Sequence, residues 1–128
     1  MRAELSQAPA CYSVRACDCD FCQKHAAAYL SDPAGRLYLK FHSKSAVNCY
    51  RQGSEAAELL LCGDCGVLVA VRYREGDNTY GAINVRALDE APEFGARTPV
   101  SPRSLSPAEK IARWKQIWFA GVAESYDR

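Results

Sequence analysis

The stretch AELLLCGDCGVLVAVRYREGDNTYGAINVRALDE, residues 57–90, decides the fold of this chain. An apolar run, Leu59 to Leu61, leads into a Cys-x-x-Cys-Gly turn, and the β-branched segment GVLVAVRYREGDN then runs to a Gly-Asp-Asn turn. The segment TYGAINVRALDE that follows has the pattern of one more strand. Short runs of this composition, bounded by turn residues, are typical of successive β-strands. The centre of the chain therefore predicts a β-sheet.

Three segments upstream also predict strands. The segment YSVRAC, residues 12–17, alternates apolar and polar residues, which places Arg15 and Cys17 on one face of a half-buried strand. The segment LYLKFH, residues 37–42, alternates in the same way after the turn SDPAGR. The segment SAVNCYRQG is a short strand that ends at Gly53. We therefore expect a mainly β protein.

The remaining connections carry weaker patterns. Residues 1–10 show no periodicity and predict a loose start, and residues 23–29 fit a single helical turn. Residues 91–106 are rich in proline and also lack periodicity, so we expect a loop over the surface.

A helix follows this loop. Ser106-Pro107-Ala108-Glu109 is a capping box with proline at the first helical position. Apolar residues follow at helical spacing, and they are Ile111, Trp114, Ile117 and Trp118. We predict a docking helix over residues 107–120, ended by Gly121, whose tryptophan face is buried in the core. The alternative, that the two tryptophans line a substrate pocket, stays open.

Length and charge limit the possible classes of protein. A chain of 128 residues fits one domain, 1–128, with a β core over residues 11–90. Lysine and arginine number 16 against 15 acids, which argues against a nucleic-acid or anionic membrane partner. No run approaches the roughly 20 apolar residues of a membrane span or the pattern of a signal peptide. A cytoplasmic location is the expectation.

Cysteine usage points to metal chemistry. The chain has seven cysteines, an odd number that argues against a fully paired disulfide framework. In a reducing compartment, clustered cysteines more often bind metal or do redox work. Five of the seven form two clusters: Cys17, Cys19 and Cys22 in ACDCDFCQKH, and Cys62 and Cys65 in the turn described above. Cys49 stands apart, and we interpret it as a small buried hydrophobic residue.

Each cluster has the spacing of a zinc site. Two residues between Cys62 and Cys65 let one turn present both sulfurs to a tetrahedral ion, and glycine after each cysteine permits positive φ. The group of Cys17, Cys19 and Cys22 supplies three ligands and leaves a fourth position open, as catalytic zinc sites do.

Other interpretations of the clusters stay open. Both could share one structural zinc, formed by Cys62, Cys65 and two of the first three cysteines, or they could serve a disulfide or an iron–sulfur cluster. Asp18 and Asp20 are expected on the opposite, solvated strand face rather than among the ligands.

These motifs together resemble the glutathione-dependent formaldehyde-activating enzymes and their centromere protein V-like relatives. The resemblance rests on CDCDFCQKH, LLLCGDCGVLV and YGAINVRALDE, and it covers roughly residues 11–90. It implies packed, twisted antiparallel sheets of the zinc-binding β-tent type with one C-terminal helix. It also implies a catalytic zinc on Cys17, Cys19 and Cys22, and a structural zinc that uses Cys62 and Cys65.

The resemblance further implies an activity, that of a carbon–sulfur lyase joining glutathione or a similar thiol with formaldehyde to give S-hydroxymethylglutathione. Arg15, Lys24 and His25 flank the first cluster and could meet the carboxylates of glutathione, and His25 is an alternative fourth zinc ligand. The sequence around His42 gives no indication of a functional role for this residue. A non-catalytic, zinc-stabilised β module that binds glutathione or a protein remains the alternative function.

The sequence departs from the family pattern at the structural zinc. The family supplies two further ligands from a Cys-x-Cys-Gly motif upstream of the first cluster, where this sequence has only Cys11. Cys11 could reach the Cys62–Cys65 pair, but it is one ligand rather than two. We therefore predict fewer than two fully occupied zinc sites per chain.

Overall fold

The computed structural model describes residues 1–7, 12, 14–52, 55–88 and 97–126. Within these ranges the strands and helices are β1 Arg2–Leu5, β2 Val14–Cys17, α1 Asp20–Lys24, β3 Tyr29–Leu30, β4 Arg36–Phe41, β5 Val47–Tyr50, β6 Glu58–Cys62, β7 Leu68–Glu75, β8 Asn78–Asn84, β9 Arg97–Val100, α2 Pro107–Ile117 and β10 Gly121–Tyr126. Short 3₁₀ turns occur at Lys44–Ala46, Val85–Ala87 and Pro102–Ser104. The prediction of a mainly β fold with one longer helix is confirmed.

The strands form two sheets. A three-stranded sheet has the order β1-β4-β10, and a seven-stranded sheet has the order β5-β6-β7-β8-β3-β2-β9. Most neighbours are antiparallel, as expected, and the stretch that opens the sequence forms the meander β6-β7-β8. Two pairs, β10 with β4 and β9 with β2, are parallel. The sheets were predicted to be antiparallel, and these two pairs differ because both β9 and β10 join strands from the first third of the chain after long connections.

The central strands of the seven-stranded sheet are buried on both faces, which explains their continuous apolar runs. Successive residues of one strand point to opposite faces. In β6 and β8, successive residues therefore belong to two different hydrophobic cores. Leu60 and Ile83 belong to the core shared with β4, whereas Leu59 and Ala82 belong to the core beneath α2. Strands covered on both faces lose the usual apolar–polar alternation, so the run LLL is a single strand rather than a helix segment.

The predicted loose start is instead partly a strand. β1 pairs antiparallel with β4, in the register Arg2 to Lys40 and Leu5 to Leu37. Its residues are only half-buried or exposed, so the apolar periodicity that would announce a strand is weak. Backbone pairing with β4 holds this segment, together with the packing of Ala3 and Leu5 against the core.

The proline-rich segment also contains a strand. Residues 91–96 lie outside the described residues, but Arg97–Val100 form β9 at the edge of the larger sheet. Pro99 is tolerated there because an edge strand leaves one row of backbone N–H positions unpaired. The expectation of an unbroken surface loop over residues 91–106 is therefore wrong.

The helix α2 begins as predicted and ends earlier. Ser106 and Glu109 form the capping box, with their reciprocal hydrogen bonds at 3.1 and 2.9 Å. The helix ends at Ile117, before Gly121, because Phe119 leaves the helical path and pairs with Gly81 through two backbone hydrogen bonds. The chain then continues as β10, a strand that the sequence pattern did not reveal.

Candidate functional site

The three cysteines of the first cluster converge. Their sulfur atoms lie within 4.8 Å of one another, and Cys22 is buried while Cys17 and Cys19 are half-buried. Cys17 is the last residue of β2, Cys19 is the N-cap of α1, and Cys22 lies inside that short helix. The chain turns from strand to helix within the cluster, so the single helical turn begins at Asp20 rather than at Gln23.

Local hydrogen bonds fix this turn. The Cys22 N–H donates to the Cys19 sulfur at 3.4 Å, and the Asp18 N–H donates to the Val100 carbonyl of β9 at 3.1 Å. The Cys22 sulfur is also 3.2 Å from the hydroxyl of Tyr29 on β3. The cluster is thus held by three elements of the larger sheet and by α1.

The cluster favours a thiolate at Cys17. A hydrogen bond from the Cys22 thiol lowers the pKa of Cys17 to about 6, against the opposing effect of burial. The same hydrogen bond, together with burial, raises the pKa of Cys22. Burial raises the pKa of Tyr29, which keeps its hydroxyl protonated. Because the thiolate is the form that binds metal, this electrostatic arrangement suits a cation.

The spacing of the sulfurs also fits a metal ion. Thiolates bound tetrahedrally to zinc at about 2.3 Å are roughly 3.8 Å apart, which is compatible with three sulfurs grouped within 4.8 Å. The described residues add no carboxylate or imidazole to this group. Asp20 is nearly fully exposed, as expected. Asp18, expected to be solvated, instead accepts a hydrogen bond from Ser101.

The Cys62–Cys65 turn favours a thiolate at Cys62. Backbone N–H groups of Cys65 and Asp64 lower the pKa of Cys62. Gly66 has φ of +80°, as predicted. Gly63 is required for another reason, since a Cβ there would lie 2.2 Å from the carbonyl oxygen of Ser45.

No third ligand accompanies this pair within the described part of the chain. Cys62 and Cys65 are not grouped with the first cluster or with another cysteine, histidine or acid. The interpretation in which both clusters share one ion is therefore not supported by the geometry. His42 lies 3.9 Å from Asp64 but remains exposed. Cys11 lies outside the described residues, so its predicted approach to this turn is not addressed.

Cys49 was predicted to be a buried hydrophobic residue, and this is wrong. It is exposed on β5, with its sulfur 3.4 Å from the guanidinium of Arg72.

The first cluster opens into a pocket of about 150 Å³. The pocket lies between α2 and the larger sheet, whose edge strand β9 contributes Val100. Its apolar lining is formed by Tyr29, Ala57, Leu59, Val71, Val100, Pro102, Trp114, Ile117 and Trp118. Its polar lining is formed by the three cysteines with Arg15, Gln52, Arg103, Lys110 and Arg113.

One face of α2 forms a wall of this pocket. Lys110, Arg113, Trp114 and Ile117 follow the spacing i, i+3, i+4, i+7, which places them on one helical face. The prediction that this tryptophan face is buried core is wrong for the helix, whose residues are at most half-buried. Only Trp118, just past the helix end, is buried, and its ring stacks on Trp114 with centroids 4.9 Å apart. The alternative of pocket-lining tryptophans therefore describes the structure better.

The flanking basic residues divide into those inside and outside the pocket. Arg15 lines the pocket and shares a strand face with Cys17, as the alternation in β2 predicted. Lys24 is exposed, and His25 packs on the ring of Phe21 at 4.3 Å, so neither lines the pocket. His25 is also absent from the sulfur group, which removes the support for it as a fourth ligand.

Sequence reasoning missed the other cationic residues of the pocket. Arg103, Lys110 and Arg113 lie far from the cysteines in sequence, and only the fold of the C-terminal third brings them close. The available signal was the repetition of basic residues on the same helical face as Trp114. Basic residues on helices are usually solvated, so this signal was weak.

Comparison with known proteins supports the fold. No protein-family model and no curated protein matches the chain. The crystal structure of a protein from Rhodobacter sphaeroides is similar at a TM-score of 0.51 and 22% sequence identity, over 75% of this chain and 88% of that chain. Similarity at this level of identity indicates a shared fold. Within the described residues, no helix is both long and apolar enough to span a membrane.

Proposed function

We propose that the three-cysteine group binds zinc and that the chain is a carbon–sulfur lyase similar to the glutathione-dependent formaldehyde-activating enzymes. A thiol, glutathione or a similar one, would add reversibly to formaldehyde and give an S-hydroxymethyl product. The observation that carries this proposal is three sulfur atoms within 4.8 Å of one another in the wall of a pocket. Three protein ligands are typical of catalytic zinc sites, whereas structural sites have four.

The reaction forms one carbon–sulfur bond and moves one proton. The sulfur of the thiol attacks the carbon of formaldehyde, and the thiol proton ends on the former carbonyl oxygen. No oxidant or reductant is therefore needed. Zinc, when bound, favours the deprotonated form of a sulfur that binds to it. Formaldehyde reacts readily, so positioning of the two reactants can supply much of the rate enhancement.

The residues of the chain would position the thiol. Trp114 and Trp118 form part of the pocket wall and would cover a bound thiol on one side. Arg15 projects from the same strand face as Cys17 and carries a positive charge beside the site. The hydroxyl of Tyr29 forms a hydrogen bond with the Cys22 sulfur and so holds that sulfur in position.

We further propose a cytoplasmic protein without a nucleic-acid or membrane partner. The six described cysteines are all free, as is usual in a reducing compartment. The near balance of 16 basic and 15 acidic residues supports neither of those partners.

An exchange experiment tests the proposed activity. Magnetisation exchange between free glutathione and S-hydroxymethylglutathione, in the presence of ¹³C-formaldehyde, should accelerate in proportion to the concentration of the zinc-loaded protein. Cys17→Ser should abolish the acceleration, whereas Cys49→Ser, which changes a cysteine outside the pocket, should retain it. An exchange rate that is the same with and without protein would contradict catalysis. If glutathione still bound at the zinc, the non-catalytic binding module would then be the better description.

A further inference from the structure

The size of the pocket limits what it can enclose. Its volume of about 150 Å³ equals that of a protein cavity that holds one benzene-sized group. Pockets that enclose larger ligands have about 300–1,000 Å³. A tripeptide such as glutathione would leave most of its atoms outside, whereas a compact thiol would be enclosed almost entirely.

The pocket wall favours an apolar group of that size. Trp114 and Trp118 stack with their ring planes 12° apart and present a broad aromatic surface. The aliphatic side chains of Leu59 and Val71, from β6 and β7, also line the pocket. A flat or branched apolar group placed against the half-buried Trp114 would remove apolar surface from water.

Two arginines of the pocket lack an acidic partner within the described residues. Arg15 donates to the hydroxyl of Ser31, which itself donates to the Ile117 carbonyl at 2.6 Å. This chain of hydrogen bonds orients Arg15 with a neutral acceptor only. Arg113, on α2, lines the same pocket as Arg15. No ion pair among the described residues includes either side chain, whereas Arg103 faces both Asp18 and Asp20.

We propose that the Arg15–Arg113 pair is a carboxylate subsite, and that the pocket selects a compact apolar thiol carrying a carboxylate in preference to glutathione. Two guanidinium groups in the wall of one pocket repel each other, and a carboxylate bound between them would offset that repulsion through charge-assisted hydrogen bonds. The sulfur of such a ligand would lie toward Cys17, with its apolar body against Trp114. This inference rests on the proposed function only in assigning the sulfur to the metal site.

A matched set of ligands tests the inference by calorimetric titration of the zinc-loaded protein. The ligands are 4-(mercaptomethyl)benzoate, phenylmethanethiol without the carboxylate, 4-methylbenzoate without the sulfur, and glutathione. We expect 4-(mercaptomethyl)benzoate to bind roughly ten- to a hundred-fold more tightly than phenylmethanethiol, the gain typical of a hydrogen-bonded charge. It should also bind more tightly than glutathione.

Variants assign the effect to the arginine pair. Arg113→Gln should remove the difference between 4-(mercaptomethyl)benzoate and phenylmethanethiol, and it should weaken 4-methylbenzoate. Arg113→Lys should restore part of the affinity difference between the two thiols and part of the affinity for 4-methylbenzoate. Lys24→Gln, a change of an exposed cation outside the pocket, should behave as the unmodified protein.

The outcomes separate this inference from the proposed function. Equal affinity for the two thiols, persistence of their difference in Arg113→Gln, or equally tight binding of glutathione would overturn the inference. If 4-methylbenzoate binds as tightly as 4-(mercaptomethyl)benzoate and depends on Arg113, the carboxylate subsite stands. The sulfur then contributes nothing, and the proposed thiol chemistry fails.

Discussion

Arg72 carries a buried charge that joins the two sheets. Only 5% of its surface is exposed, and its Nε lies 3.0 Å from a carboxylate oxygen of Glu58 on β6. The same guanidinium bonds Glu124 on β10, in the smaller sheet. Buried ion pairs add little net stability compared with apolar packing, but removal of one partner is costly. We therefore expect this group to fix the position of the smaller sheet on the larger one.

Glu58 should make the stability of the protein dependent on acid pH. Burial raises its pKa, but the hydrogen bonds from Arg72 and the charges of Arg72, Arg74 and Arg51 have the larger combined effect and lower it below 4.5. The unfolded carboxyl binds a proton more readily, so this contribution is complete above pH 4.5 and is lost as the pH falls through the folded-state pKa. Urea unfolding across this range should show the loss.

Substitution of Glu58 tests whether this residue causes the dependence of stability on acid pH. Glu58→Gln should lower the free energy of unfolding at neutral pH by about 2–3 kcal/mol and flatten the acid dependence. Glu75→Gln, which breaks the exposed pair with Lys115, should cost much less than Glu58→Gln, because solvent screens an exposed ion pair. If the free energy of unfolding fell equally with acid in the Glu58→Gln variant and in the unmodified protein, Glu58 would not be the group that causes the pH dependence.

At the scale of elements, the Cys62–Cys65 turn depends on backbone contacts. The Gly63 N–H donates to the Ala46 carbonyl at 2.7 Å, and the Gly66 N–H donates to the Cys62 carbonyl at 2.9 Å. The turn is therefore attached to the 3₁₀ turn before β5.

Alanine at the two glycines should have unequal effects. In Gly63→Ala the new methyl group would lie 2.2 Å from the backbone oxygen of Ser45, so the turn must shift, at a cost of about 1–3 kcal/mol. In Gly66→Ala the methyl group meets no atom within 4 Å, and only the left-handed backbone costs about 1 kcal/mol. Thermal unfolding of both variants measures the difference. A Gly66→Ala variant less stable than Gly63→Ala would contradict the described contact.

The segment after α2 should contribute more to stability than the helix face itself. Phe119 is fully buried between the sheets, and its backbone pairs with Gly81. Phe119→Ala should cost about 3–5 kcal/mol, as is usual for an aromatic core residue. Trp114→Ala should cost less, because Trp114 is only half-buried in the pocket wall. Chemical denaturation compares the two variants, and a larger loss for Trp114→Ala would restore the sequence-based assignment of this residue to the core.

At the scale of the whole molecule, the sequence predicted the sheet better than the pocket. The β6-β7-β8 meander has local turns and long apolar runs, so its pattern is contained in neighbouring residues. β1, β9 and β10 are short or half-exposed, and each pairs with a strand distant in sequence. Periodicity within a segment cannot show such partners.

In the candidate site, too, the part formed by neighbouring residues was predictable and the part formed by distant residues was not. The three cysteines lie within six positions, and their spacing was sufficient to predict that they converge. The pocket wall combines β2 with α2, and it is lined by residues almost 100 positions apart, Arg15 and Arg113. The helical spacing of the tryptophans predicted a shared face correctly, but it could not decide whether that face meets the core or a pocket.

The central claim is that Cys17, Cys19 and Cys22 hold a metal ion with one position open to the pocket. X-ray absorption at the zinc edge tests it most directly, in a variant with Cys62→Ser and Cys65→Ser that removes the second cysteine cluster. We predict three sulfur ligands at about 2.3 Å and one lighter atom. On addition of 4-(mercaptomethyl)benzoate, the lighter atom should be replaced by a fourth sulfur. A protein that binds no zinc, or a zinc environment that does not change with the thiol, would contradict the account.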